Sequence, residues 1–140
     1  MELTVPAAVA RAARDFGDAE AVAAQGFRLS YRELDERAAA VTGALIDAGI
    51  EPGDRVAIWA PNGPEWLLTA LGTLGAGATL VPVSTRFTGP EALDVIVRSG
   101  VRALFVAGDF LGVDRLGKLL TAAGPDELDQ IGRASCRERV

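Results

Sequence analysis

Two basic residues near the end of the chain carry groups well suited to holding a phosphate. Arg115 and Lys118 lie three positions apart in residues 113–123, which we predict to form a helix. A guanidinium group can hydrogen-bond two phosphate oxygens at once, whereas a lysine amine supplies a compact positive charge. The alternative is a solvated helix face on which Asp114 acts as a local partner of Arg115. Of the two interpretations, we favour the solvated helix face.

Three glycines, Gly72, Gly75 and Gly77, suggest a loop that binds a dinucleotide. Such a loop must follow a strand and open a helix, so that the helix N-terminus meets the pyrophosphate. Here the glycines end a predicted helix and precede a predicted strand. Because the order is reversed, we interpret them as sites of tight helix–strand packing.

Three further side chains lie near the same predicted helix. Asn62 follows a predicted strand, so it could shape a cleft, but its position before Pro64 favours a helix cap. Trp59 and Trp66 are interpreted as residues of the core or of a cleft wall, in preference to a pair lining a ligand pocket.

The composition excludes several kinds of chemistry. The 140 residues are 49% hydrophobic and 24% charged, as in a globular domain, and include no histidine for acid–base catalysis or metal binding. The single cysteine, Cys136, cannot form an internal disulfide, which suits a reducing cytoplasm. A net charge of −5 argues against a nucleic-acid surface. The N-terminus lacks the features of a signal peptide, so we expect a cytoplasmic protein.

One uncharged run, residues 66–85, is about long enough to cross a bilayer. Glycines and Pro82 interrupt it, and a buried helix followed by a buried strand gives the same pattern. We therefore expect no transmembrane segment.

The hydrophobic pattern predicts helices and strands that alternate along the chain. Helices are expected at residues 5–16, 31–48, 64–75, 90–98 and 113–123. A small hairpin is expected at 21–29, and strands at 55–59, 79–83 and 103–107. Ser30 and Glu33 form a predicted capping box before the second helix. This order predicts the α/β class, with a parallel sheet of βαβ units whose strands are apolar on both faces and covered by flanking helices.

The central stretch resembles a known family. The pattern GDRVAIWAPNGPEW followed by LGAGATLVPV is similar to the N-terminal part of the large domain of adenylate-forming enzymes, which include acyl-CoA synthetases, luciferases and peptide-synthetase adenylation domains. The segments LSYRELDERAAAVTGALIDAGIEPGDRV and TRFTGPEALDVIVRSGVRALFV extend the resemblance over most of residues 28–107. Within the family, RFTGPEALDVI with LFVAGDFLGVDR is most similar to bacterial fatty-acid and steroid-side-chain CoA ligases.

The resemblance implies an ATP-dependent acyl-CoA synthetase that adenylates a carboxylic acid, with magnesium present, and transfers the acyl group to CoA. In some related ligases, basic residues after the corresponding strand meet the CoA nucleotide, which makes Arg115 and Lys118 candidates for that contact. The family's phosphate loop, ribose-binding acid, hinge and catalytic lysine lie further downstream. We therefore expect residues 1–130 to be the N-terminal part of the large domain. That part should have no catalytic residue, no metal site and no bound cofactor of its own.

Two alternatives remain. The parent could be another adenylating ligase, such as a peptide-synthetase adenylation domain. The chain could instead be a stand-alone flavodoxin-like binding module, for which an exposed phosphate-binding loop would be expected.

The last ten residues, 131–140, differ from the rest of the chain. The segment IGRASCRERV is basic and patternless, and it resembles the translation of a common sequencing adapter read in frame. We predict that this segment is not native, and we exclude it, with Cys136, from the interpretation of the fold.

Overall fold

The computed structural model describes residues 3–108 and 114–124. Its helices are α1 (Val5–Phe16), α2 (Tyr31–Asp47), α3 (Pro64–Gly75), α4 (Gly89–Arg98) and α5 (Arg115–Ala122). Its strands are β1 (Glu20–Ala24), β2 (Phe27–Ser30), β3 (Arg55–Trp59), β4 (Thr79–Pro82) and β5 (Ala103–Val106). The predicted elements are thus confirmed within one or two residues. The predicted start of the last helix, residue 113, and the whole segment 131–140 lie outside the described residues.

The first of two compact units contains residues 3–52 and 62–77 of the described chain. Strands β1 and β2 form an antiparallel hairpin in which Ala24 pairs with Phe27. Helix α2 contacts both α1 and α3. Its apolar stripe is buried, as the sequence predicts: Leu34, Ala38 and Leu45.

Two helices begin with a reciprocal capping box. The Ser30 N–H donates to Glu33 Oε2 at 2.8 Å, and the Glu33 N–H donates to Ser30 Oγ at 3.2 Å. Thr88 and Glu91 make the same pair of bonds at the start of α4, at 2.7 and 3.4 Å. The backbone N–H of Ser30 lowers the pKa of Glu33, and that of Thr88 lowers the pKa of Glu91, because both donate to the ionised carboxylate.

Helices α2 and α3 approach closely at two glycines. A Cβ on Gly72 would lie 2.4 Å from Val41 Cγ1, and one on Gly75 would lie 2.3 Å from Thr42 Oγ1. The Thr42 hydroxyl donates to the Gly72 carbonyl at 2.9 Å. These glycines therefore are sites of tight packing, but the predicted helix–strand contact is wrong at both, because the atoms that crowd them belong to α2.

The second unit contains a three-stranded parallel sheet in the order β4–β3–β5. Strand β3 is central: Ile58 pairs with Pro82 of β4, and Trp59 pairs with Val106 of β5. One buried cluster joins residues of this unit, listed along the chain as Ala57, Trp59, Val83, Ala92, Leu93, Ile96, Val101, Leu104 and Leu119. Helices α4 and α5 thus share a core with the sheet.

Strand β4 is only partly buried. Thr79 and Pro82 are exposed, and the residues between them are half-buried. In the described part of the sheet, β4 lies at one edge, where a strand has a neighbour on one side only. Strand β4 is therefore less buried than its apolar sequence indicates, whereas β3 is buried from Val56 to Trp59.

Candidate functional site

The carboxyl ends of three parallel strands meet at one edge of the sheet. Strands β3, β4 and β5 end at Trp59, Pro82 and Val106, and their registers place these ends side by side. In open α/β sheets, ligands bind outside the carboxyl ends of the strands. This edge is the region of the second unit in which a binding site is expected.

A fixed turn follows β4 at this edge. The Val83 N–H donates to the Ile58 carbonyl at 2.9 Å, which extends the pairing with β3. The next residue, Ser84, accepts at its carbonyl from Trp59 Nε1 at 3.0 Å and from the Phe87 N–H at 3.1 Å. Its hydroxyl oxygen accepts from the Arg86 N–H at 3.3 Å. Residues 84–87, called the Ser84 turn below, are therefore held by both the core and internal bonds.

Arg86 is the positive charge of the Ser84 turn. It is exposed and makes no ion pair within the part of the chain that the structure describes. The sequence interpretation missed this residue. An available signal was its position between a predicted strand and a helix start, since such segments form the ligand-binding edge of a parallel sheet.

The two predicted phosphate contacts lie in the first turn of α5. Arg115 is 5% exposed, whereas Lys118 is exposed. Asp114 caps the helix by accepting from the Gly117 N–H at 2.8 Å. The alternative of a solvated face is therefore wrong for Arg115. The contact of Arg115 and Lys118 with the CoA nucleotide stays a prediction.

Helix α4 brings the Ser84 turn close to α5. A Cβ on Gly89, the first residue of α4, would lie 2.5 Å from the Lys118 carbonyl oxygen and 2.9 Å from its carbon. The backbones of the two helices are therefore in direct contact where Gly89 meets Lys118. Gly89 is three residues beyond Arg86, so the elements that carry Arg86, Arg115 and Lys118 meet within the second unit.

The remaining candidate residues are Trp59, Trp66 and Asn62. Trp59 is 1% exposed and belongs to the core, as predicted. Trp66 is half-buried on α3. The N-cap of α3 is Gly63, and no side chain caps this helix, so the interpretation of Asn62 as a cap is wrong.

Across residues 3–108 and 114–124, no helix is long and apolar enough to cross a membrane. The same residues contain no group of three or more acidic, histidine or cysteine side chains that could hold a metal ion.

The parallel sheet, with the exposed cations Arg86 and Lys118 on segments near its carboxyl edge, defines an α/β protein with a candidate site for an anionic ligand. The model of the AMP-binding enzyme family matches residues 9–137. The chain belongs to this family of adenylate-forming enzymes. The match ends inside the segment 131–140, whose non-native origin stays a prediction.

Two similar proteins show which kinds of enzyme within this family the chain resembles. A 3-[(3aS,4S,7aS)-7a-methyl-1,5-dioxo-octahydro-1H-inden-4-yl]propanoyl:CoA ligase of Rhodococcus jostii (strain RHA1) is 45% identical over 130 residues, which are 93% of this chain and 25% of that protein. The phenyloxazoline synthase MbtB of Mycobacterium sp. (strain MCS) is 39% identical over 99 residues, which are 71% of this chain and 8% of that protein. The chain thus spans a quarter or less of these relatives.

A solved structure shares the fold. The N-terminal subdomain of Klebsiella oxytoca NpsA, in complex with 3-hydroxybenzoyl-AMSN, superposes with a TM-score of 0.70 and is 28% identical. The likeness covers 78% of this chain and 28% of that one. The predicted α/β class and the predicted membership of the adenylate-forming enzymes are both confirmed.

Proposed function

We propose that the complete protein containing this chain is an ATP-dependent acid–CoA ligase. A carboxylate oxygen of the acid attacks the α-phosphorus of ATP and displaces pyrophosphate. The CoA sulfur then attacks the acyl carbon and displaces AMP. The observation that carries this proposal is the family match over residues 9–137, and the 45% identical CoA ligase supports the choice of acceptor.

Within this reaction, Arg86, Arg115 and Lys118 are assigned to the phosphates of the CoA nucleotide. Support comes from the carboxyl edge of the sheet, from the exposure of Arg86 and Lys118, and from the contact between α4 and α5 at Gly89. Arginine suits this role because its planar guanidinium group presents paired donors to phosphate oxygens. Arg115 is buried, which suits a supporting role, whereas Arg86 and Lys118 are exposed.

Catalysis is assigned to the complete enzyme. The motifs that bind ATP phosphates and drive adenylation in this family are not found in the 140 residues, so the chain alone is expected to have no activity and no bound cofactor. ATP, CoA and magnesium are assigned to the complete enzyme. Its substrate is a carboxylic acid, and its expected location is the cytoplasm.

The second candidate is an adenylating ligase that loads a carrier protein. A 32% identical fatty acid–[acyl-carrier-protein] ligase supports this candidate. Both candidates share the adenylation step and differ in the thiol that receives the acyl group. The family match favours either of them over a stand-alone flavodoxin-like module.

The test uses the complete enzyme and a panel of fatty and steroid-derived acids. Acid-dependent exchange of pyrophosphate into ATP measures adenylation, and formation of the CoA thioester measures transfer. Arg86→Ala should raise the KM for CoA about 10- to 100-fold, the equivalent of losing charge-assisted hydrogen bonds, and leave the exchange unchanged.

Arg98→Ala is the matched control, because Arg98 is an exposed arginine at the other end of α4 that pairs with Asp94 at 3.1 Å. It should leave both assays unchanged. Exchange without thioester formation would favour the carrier-loading ligase. An unchanged KM for CoA in Arg86→Ala would contradict the proposed role of Arg86.

A further inference from the structure

The indole of Trp59 connects the core of the second unit with the Ser84 turn. Its ring is 1% exposed and lies in the same buried cluster as Val83 and Ile96. The indole N–H donates to the Ser84 carbonyl at 3.0 Å. The bond is partly buried, so water competes with it less than at an open surface.

Ser84 accepts hydrogen bonds at two oxygens. Its carbonyl has two lone pairs, which allows Trp59 and the Phe87 N–H to share it. Its hydroxyl oxygen receives the Arg86 N–H at 3.3 Å. Removing the indole N–H would therefore release the bond that fixes this turn to the core and leave the two internal bonds in place.

We propose that Trp59 is a positioning residue for the CoA nucleotide, acting through Ser84 on Arg86. The inference rests on the proposed function of Arg86. Two parallel bonds from a guanidinium group to a phosphate require a defined backbone position, and a mobile turn loses more conformational freedom on binding. A buried donor on the central strand supplies that fixed position.

The test is Trp59→Phe in the complete enzyme, which keeps a buried aromatic ring and removes the N–H. The KM for CoA should rise about three- to tenfold, as expected for one neutral hydrogen bond. The ATP–pyrophosphate exchange does not use CoA and should keep its rate. Amide hydrogen exchange in residues 83–88 should become faster.

Two matched variants separate positioning from loosening of the core. Ile96→Val removes one methylene group from the same cluster and leaves the indole bond intact, so it should lower the melting temperature without changing the KM for CoA. Ser84→Ala removes the hydroxyl bond to the Arg86 N–H and should raise the KM for CoA in the same direction as Trp59→Phe.

The outcomes distinguish the inference from the function on which it rests. If Arg86→Ala raises the KM for CoA and Trp59→Phe does not, the positioning role is wrong and the proposed function stands. If Ile96→Val raises it as much as Trp59→Phe, the effect is general loosening and the inference is overturned. If Arg86→Ala has no effect, both the role of Arg86 and the inference fail.

Discussion

Replacement of Gly72 by alanine tests the close approach of α2 and α3. The added Cβ would lie 2.4 Å from Val41 Cγ1, 2.5 Å from Val41 Cβ and 3.2 Å from the Ala38 carbonyl oxygen. Carbon atoms in contact are normally separated by about 3.5–4.0 Å. A change of rotamer moves the Val41 Cγ1 atom but not its Cβ, so the two helices must separate.

The size of the effect follows from two opposing terms. Overpacking of this kind typically costs about 1–3 kcal/mol, and the fixed Cβ of Val41 indicates the upper end. Alanine recovers about 1 kcal/mol, because glycine is a poor residue for a helix interior. We expect Gly72→Ala to lower the free energy of unfolding by about 2 kcal/mol. Separation of the helices would also lengthen the bond from Thr42 to the Gly72 carbonyl.

Gly43 is the matched control for this substitution. It lies inside α2, and a Cβ there would meet nothing within 4 Å. Gly43→Ala should therefore raise the free energy of unfolding by about 0.5–1 kcal/mol. Denaturant unfolding followed by circular dichroism, with equal m-values, measures both variants. A Gly72→Ala variant as stable as the parent, or a shift in the same direction for both variants, would refute the reasoning.

Three further predictions follow from buried and capping groups and from the tail. Thr73 is 0% exposed, and its hydroxyl has no hydrogen-bond partner within the described residues. Thr73→Val should therefore raise the free energy of unfolding by about 1–3 kcal/mol in the same assay, and a lower free energy of unfolding would contradict this. The pKa values of Glu33 and Glu91 are lowered in the folded chain, so both carboxylates stabilise the fold at a pH above their ordinary pKa of 4.5. This stabilisation is lost as the pH falls through the lowered pKa values. Melting temperatures of a double Glu→Gln variant should depend less on pH below 4.5, because glutamine keeps the capping box without titrating. Sequencing of an independent clone should not recover the codons for residues 131–140; their recovery would show that the tail is native.

Local sequence signals predicted most of the elements. Ser30 with Glu33 marks the start of α2, and Pro64 marks the first turn of α3. The same reasoning could have found the second capping box, because Thr88 precedes Glu91 by three residues. Each of these signals lies within a few residues of the element that it defines, so no knowledge of the tertiary structure was needed.

Contacts between residues that are far apart along the chain could not be predicted from such local signals. The sequence does not indicate whether Gly72 packs against α2 or against a strand, because Gly72 and its contact Val41 are 31 residues apart along the chain. The exposure of Thr79 and Pro82 depends on the place of β4 in the strand order, which hydrophobicity does not encode. The burial of Arg115 likewise depends on tertiary packing, whereas a charged residue in the sequence indicates exposure.

The candidate site combines a fixed backbone with an exposed cation. At one end of the Ser84 turn, Trp59 holds Ser84 at 3.0 Å, and directly after it Glu91 holds the Thr88 N–H at 2.7 Å. Arg86 lies between these two anchors, with its side chain exposed. Fixing the backbone before a ligand arrives reduces the entropy lost on binding, whereas an exposed guanidinium group keeps its donors accessible. Neither Trp59 nor Glu91 is a residue that binds phosphate. Phosphate-binding residue types in the sequence therefore do not indicate the two side chains that fix the backbone on either side of Arg86.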